Sequence, residues 1–332
     1  RLSSMTHIVS CAEWCSCRAI LEDMSPNFTL LDQLYTQERL LNSGYTRTTM
    51  RRKLRTKELV SVLQGVYIAA SVWDSFTPSL QVLARHTALA LRDSTCVFCL
   101  SSAAFLYGLP LLHVPQNLHV LAGYSVRGAA SDGILEHTSN EASVQVTVLR
   151  PNFRVTELSQ TLLDCARTLP VLEGCALVDA ALHRRMLAPE EILPRLQASQ
   201  NSAATHIATH ADARSGSLLE SVARLQLVEM GLPAPVHRLD FEAYLLGTSD
   251  AHTSNRASDY AGVYRMLRTR QASFVWLEQR VGLAMVASDA ALPHADAPTP
   301  EGWHMVQVRW EDFYPSSRVL REKLYPYFPQ LG

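Results

Sequence analysis

Residues 46–57 read TRTTMRRKLRTK, a run that holds Arg47, Arg51, Arg52, Lys53, Arg55 and Lys57 and no acid. A guanidinium is planar and always charged. Its fork of N–H donors matches phosphate oxygens and the O6/N7 edge of guanine. At about 100° per residue, Met50 and Leu54 share one helical face, and Thr48, Arg51, Arg52 and Arg55 share another. One side is thus apolar for a core and the other is basic, the layout of a DNA recognition helix. Thr48, Arg51, Arg52 and Arg55 are expected to enter or flank a major groove. Arg47 and Lys53 are expected on phosphates, as is Lys57 from the start of the next element, and Gln64 is expected over an adjacent backbone segment. The plain alternative is a solvated basic helix on an all-helical cap.

The elements that position this helix are legible in residues 30–68. A helix with Leu30, Leu31, Leu34, Leu40 and Leu41 on one face is expected to run into Asn42-Ser43-Gly44, where glycine permits the left-handed turn that ends it. Thr46 is the expected N-cap of the second helix. An alternating run over 59–68, interrupted by Gln64-Gly65, fits a two-stranded hairpin. Helix, turn, helix and hairpin in this order predict a winged helix-turn-helix.

Further along, a helix is expected over 78–92 with Leu80, Leu83, Ala84, Ala88 and Leu91 on one face. A strand at 95–100 leads to a short helix capped by Ser101 or Ser102 and closed at Gly108, and strands are expected at 118–121 and 144–149. Helices follow from an N-cap at Ser159, at 173–186, and from Ala188 onward, where Pro189 opens the first turn with Glu190 and Glu191 near the positive dipole end. Residues 198–216 are small and polar and read as a linker. A last domain opens with an amphipathic helix at 217–230. An inserted loop is expected at 247–262, strands at 274–276, 280–282 and 305–310, and a closing helix at 317–324.

Composition bounds the partners. The 332 residues are enough for two or three domains, and 47% hydrophobic content can fill their cores. With a net charge of −1, any affinity for nucleic acid must come from a local patch, and 46–57 is the densest one. No run of about 18 apolar residues suggests a membrane span. Seven cysteines, several in apolar patterns, read as buried thiols of a reducing cytoplasm rather than a disulfide framework. Cys96 and Cys99 have redox or zinc spacing but lie in a strand-like run without a second pair, so they read as core. His206 and His210 share the i, i+4 spacing of a zinc helix but lack the glutamate that follows the first histidine there, so no metal is expected. Cys11, Cys15 and Cys17 lie in a segment, 1–24, expected to be a poorly ordered extension, with Met5 and Met24 as alternative starts. Trp276, Trp303 and Trp310 are expected in the C-terminal core.

Taken in order, SGYTRTTMRRKLRTKELVSVLQGVYI, LSSAAFLYGLP, VTELSQTLLDCAR and LVDAALHRR resemble the AbiEi-type antitoxin family of type IV toxin–antitoxin systems, in the long form seen in actinobacteria. The resemblance covers about 27–195. It implies a winged helix followed by an antitoxin domain, repression of its own promoter, and a nucleotidyltransferase-like toxin as partner. SGSLLESVARLQLVEMGLPAPV, FVWLEQRV and GWHMVQVRWEDF resemble a second module, similar to very-short-patch repair endonucleases. There, a glutamate on the first helix and acids on two central strands hold Mg²⁺, which activates water. Glu220 matches the first acid. Ser273 stands where the second is expected, and 282–286 reads GLAMV where an acidic run is expected. One carboxylate is a poor Mg²⁺ site, so this domain is expected to be inactive. Asp289 and Asp296 are alternative ligands.

The expected architecture is α+β and multidomain. It comprises an extension (1–24), a winged helix-turn-helix (25–75), an antitoxin-like mixed α/β domain (76–197), a linker (198–216) and a degenerate restriction-endonuclease-like α/β domain (217–332). The expected function is a cytoplasmic regulator binding double-stranded DNA at its own promoter, with no cofactor and no membrane partner. The alternatives are a Mg²⁺-dependent endonuclease targeted by the winged helix, and an interaction protein that no longer touches DNA.

Overall fold

A computed structural model describes residues 30–122, 132–138, 144–150, 152–237, 272–286, 302–313 and 316–329. The expectations for 1–24, for 247–262 and for Asp289 and Asp296 lie outside these residues. The chain is an α+β protein with three sheets among the described residues. It divides into two compact units, one ending at Ala211 and the other beginning at Asp212.

The first unit begins with α1 (Leu30–Gln33), β1 (Tyr35–Thr36), α2 (Gln37–Asn42) and α3 (Arg47–Arg55), followed by β2 (Leu59–Leu63) and β3 (Val66–Ala69). The single helix expected over 30–41 is therefore broken. Tyr35 and Thr36 pair antiparallel with Tyr67 and Val66, giving the sheet order β1-β3-β2. Thr36 then caps α2, accepting the Arg39 N–H at 3.2 Å. The apolar spacing was right, but a long-range pairing outweighed local helix propensity.

α4 (Ala70–Trp73) and α5 (Pro78–Arg92) lead to a five-stranded sheet. Its strands are β4 (Val97–Phe98), β5 (Leu118–Leu121), β6 (Ile134–His137), β7 (Val146–Leu149) and β8 (Phe153–Thr156), in the order β6-β5-β4-β8-β7. β6 and β8 had no expected counterpart. On α5, Val82, Leu83, Ala84, Ala88 and Leu89 are buried, whereas the expected core residue Leu91 is exposed. α6 (Leu100–Leu106) is capped at Cys99, not at a serine. Ser102 is instead a buried junction: its Oγ lies 2.9 Å from His86 Nε2 and accepts the His119 N–H at 2.9 Å. Cys96 and Cys99 are free and buried, and burial pushes the Cys96 thiol up to about 12.

α7 (Leu158–Thr168) starts earlier than expected, because Glu157, not Ser159, is its cap and accepts the Ser159 N–H at 3.1 Å. α8 (Val171–His183), α9 (Pro189–Gln197) and α10 (Ser202–His210) complete the unit. α10 corrects the linker expected at 198–216: Ala204 and Ile207 are fully buried. A Cβ on Gly174 would come within 2.7 Å of Ile207 Cδ1, so glycine lets the two helices close. The break between the compact units falls inside the expected linker, after this helix.

The second unit begins with α11 (Leu218–Glu229). Its sheet comprises β9 (Val236–His237), β10 (Phe274–Trp276), β11 (Val281–Met285) and β12 (His304–Val308), in the order β12-β11-β10-β9. β10 runs antiparallel to both β9 and β11, and β12 is parallel to β11. α12 (Trp310–Phe313) and α13 (Arg318–Leu324) close the unit. Trp276 is buried, and its indole N–H donates to Pro233 O at 2.7 Å. Trp303 and Trp310 are half-buried. Among the described residues no helix is long and apolar enough to cross a membrane.

Candidate nucleic-acid interface

α2 ends in a Schellman motif: Gly44 N–H donates to Leu41 O and Tyr45 N–H to Leu40 O, each at 3.0 Å, with Gly44 at φ +87°. The chain then reverses and Thr46 restarts it, its Oγ1 accepting the Thr49 N–H at 3.1 Å. α3 follows over the expected residues. Met50 is buried and Leu54 half-buried, while Arg47, Thr48, Arg51, Arg52 and Arg55 are exposed. The expected two-faced helix is present.

The first turn of α3 differs from that of several other helices. Acids occupy the first turns of α1, α2, α8, α9 and α11, where they complement the positive helix end. α3 has none there and begins with Arg47. Arg47 therefore adds to the positive dipole end, at a slight cost to the helix, whereas Arg52, Lys53 and Arg55 in the last turn complement the negative end. Among the described residues the guanidinium groups of Arg47, Arg51, Arg52 and Arg55 enter no hydrogen bond or ion pair.

Lys53 differs. Its Nζ donates to Glu58 Oε2 at 2.8 Å and lies 5.9 Å from the centre of the Tyr45 ring. The hydrogen bond from Lys53 holds the Glu58 carboxyl below its ordinary value, and the same bond raises the lysine. A phosphate contact through Lys53 would have to displace this carboxylate. Lys57 is exposed and closes α3 at φ +56°, with Lys57 N–H on Leu54 O and Glu58 N–H on Lys53 O. The second Schellman motif thus uses a lysine where glycine is the usual occupant.

The hairpin tip departs most from expectation. Gly65 adopts φ +85° in the β2–β3 turn, as the sequence required. The main chain of Gln64, however, is already engaged. Its N–H donates to Asp132 Oδ1 at 3.0 Å, and its carbonyl accepts from Arg92 Nη1 at 3.2 Å. Arg92 pairs with Asp132, and Arg85 holds the Asp132 carbonyl at 2.8 Å. The tip is clipped to α5 and to the start of β6. Gln64 is exposed, but its amide N–H already serves one carboxylate and is not available to a phosphate. Sequence reasoning missed Asp132, Arg92 and Glu58. Glu58 was legible as the first acid after a basic run, whereas nothing local marks Asp132.

In the second unit, Glu220 is nearly buried. Its Oε2 accepts the Gly216 N–H at 2.8 Å and its Oε1 the Ser273 hydroxyl at 3.0 Å. The structure thus joins Glu220 to the serine at the expected position of a second acid. β11, where a third was expected, is almost wholly buried and apolar. Among the described residues no three His, Cys, Asp or Glu side chains cluster as metal ligands. His206 and His210 stack at 4.2 Å on α10, with His210 Nδ1 3.0 Å from the His206 carbonyl.

Comparison with known proteins gives relatives for this chain. It is 31% identical over 196 residues to Uncharacterized protein MT2308 and to Uncharacterized protein Rv2248, from two strains of Mycobacterium tuberculosis. The match covers 57% of this chain and 67% of each relative. No family model matches the chain. Among solved structures, the RV2827C protein from Mycobacterium tuberculosis aligns at 16% identity over 66% of this chain and 82% of that one. Its TM-score is 0.36, too low to carry an argument about fold or function.

Proposed function

The chain belongs to the family of these two mycobacterial proteins, and within it we propose a DNA-binding transcriptional regulator of the AbiEi antitoxin type. In this reading α2, the Ser43–Gly44 turn and α3 are a helix-turn-helix, and β2–β3 is its wing. α3 enters the major groove of the protein's own promoter. The observation that carries the reading is the exposed face of α3, where the side chains of four arginines and Thr48 form no hydrogen bond or ion pair with any other described residue. Such a face binds polyanions, and on a helix of this setting the groove-reading geometry follows. The remainder of the first unit is the antitoxin-like domain, whose partner is a nucleotidyltransferase-like toxin. The second unit is a restriction-endonuclease-like domain that has lost its acids, with Glu220 retained as a structural strut.

The test is binding to the duplex upstream of the protein's own gene across a salt series, beside an Arg51→Ala/Arg52→Ala variant. The expected result is steep loss of affinity with salt for the wild type. A flatter log–log slope, by roughly 1 per residue, is expected for each of the two that contacts phosphate, and eroded sequence preference for each that contacts a base. Equal, weak binding by both proteins at low salt would remove the regulator reading and leave a protein-partner role for the first unit.

A further inference from the structure

α3 meets the rest of its unit along one seam, marked by Met50 and Leu54, while Arg47, Thr48, Arg51, Arg52 and Arg55 are exposed and Thr49 and Lys53 half-buried. At about 100° per residue the direction opposite that seam belongs to Arg52, flanked by Thr48 one turn before and Arg55 one turn after. Arg47 and Arg51 form one shoulder, Thr49 and Lys53 the other. The shoulders are unequal. Thr49 is tied to Thr46, with the two hydroxyl oxygens 2.9 Å apart, and Lys53 is tied to Glu58. Arg47 and Arg51 have no such ties among the described residues.

The residue types on α3 restrict what it can read. Adenine is recognised by Asn or Gln and cytosine by Asp or Glu, and 46–57 contains none of these. It offers arginine forks, which suit guanine O6 and N7, and threonines, which suit the thymine methyl. Resting on the DNA-binding reading, we propose that Arg52 and Arg55 are specificity-determining residues that each read a guanine. Thr48 abuts the next base toward the helix N-terminus, and Arg51 and Arg47 hold the phosphates of one strand only. Residues 52 and 55 are about 4.5 Å apart along the helix axis, against about 3.4 Å between successive bases of a strand. With the helix axis lying along the groove, that spacing puts the two guanines within one or two base steps of each other.

The experiment selects duplexes from a randomised pool with the full-length protein, then replaces the enriched guanines by 7-deazaguanine, which lacks the N7 acceptor. The expected result is enrichment of guanines at that spacing and a loss of about tenfold per replaced guanine. The salt slope should be unchanged, because no phosphate contact is touched. Arg52→Ala removes the donors altogether, and it should no longer distinguish normal from modified DNA at one position. Salt-dependent binding that is indifferent to 7-deazaguanine would overturn guanine reading while leaving DNA binding intact. Absence of both enrichment and salt-dependent binding would overturn the regulator reading itself.

Discussion

α3 and α11 both carry the side chains that made them candidates for chemistry, and they treat them in opposite ways. On α3 the arginines project into solvent without internal partners among the described residues. On α11 the carboxylate of Glu220 is nearly buried, and each of its oxygens accepts a hydrogen bond from its own unit. A group kept for a ligand leaves its bonding capacity open, whereas a group kept for the fold has that capacity filled. By this measure the arginines of α3 are open to a ligand and Glu220 is a structural joint.

The interior of the first unit extends the contrast to pH. His86 is fully buried, its Nδ1 donating to Val82 O at 2.8 Å and its Nε2 facing Ser102, and burial pushes it down to about 4. Between about 6.5 and about 4 the unfolded chain binds a proton that the folded chain refuses. Stability is therefore complete above that window and is lost as pH falls through it, by roughly 3 kcal/mol for this one group at pH 4. Urea unfolding at pH 7 and pH 4.5 checks this. His86→Gln, which keeps a donor and an acceptor, should shrink the difference between the two. A loss of DNA binding in this window should track unfolding of the first unit.

Glu220→Ala should lower stability by about 2 kcal/mol, because a half-buried serine hydroxyl and a backbone N–H lose their acceptor. Glu220→Gln should lower it less. If Mg²⁺ instead raised the unfolding temperature of the wild type and not of Glu220→Gln, Glu220 would be a ligand and the contrast with α3 would collapse. Exposed, unpartnered side chains predict the reverse pattern. Arg51→Ala/Arg52→Ala should shift stability by no more than about 0.5 kcal/mol while abolishing most DNA affinity.

Smaller effects sharpen the account of α3 itself. Lys57→Gly relieves a left-handed lysine and should stabilise the protein by up to about 1 kcal/mol, measured by thermal melting. Arg47→Glu places an acid at the positive helix end and should stabilise by roughly 0.5 kcal/mol while weakening DNA binding. A variant that gained stability and kept its affinity would place Arg47 outside the interface.

The elements that were legible in advance are those whose determinants lie within a few residues. Gly44, Thr46 and the spacing of Met50 and Leu54 define α3 through a turn, a cap and one helical face, all local. The break between α1 and α2 was not legible, because it depends on Tyr35 and Thr36 pairing with Tyr67 and Val66. α10 was read as a linker because its composition is small and polar. Its order comes from two buried side chains meeting other helices, with Ile207 seated where Gly174 has no Cβ.

The sequence by itself determined which groups face out from α3 and which base chemistry they suit, since helical periodicity and side-chain type suffice for both. It also determined that Ser273 and the apolar run 282–286 stand where the endonuclease resemblance expects acids. Only the tertiary structure decided which of these groups are free. Glu58 takes Lys53, Asp132 takes the Gln64 amide across 68 residues of chain, and Ser273 takes Glu220 across 53. A hydrogen bond needs a partner within about 3 Å, and which residue arrives there is set by the path of the whole chain and not by its local pattern.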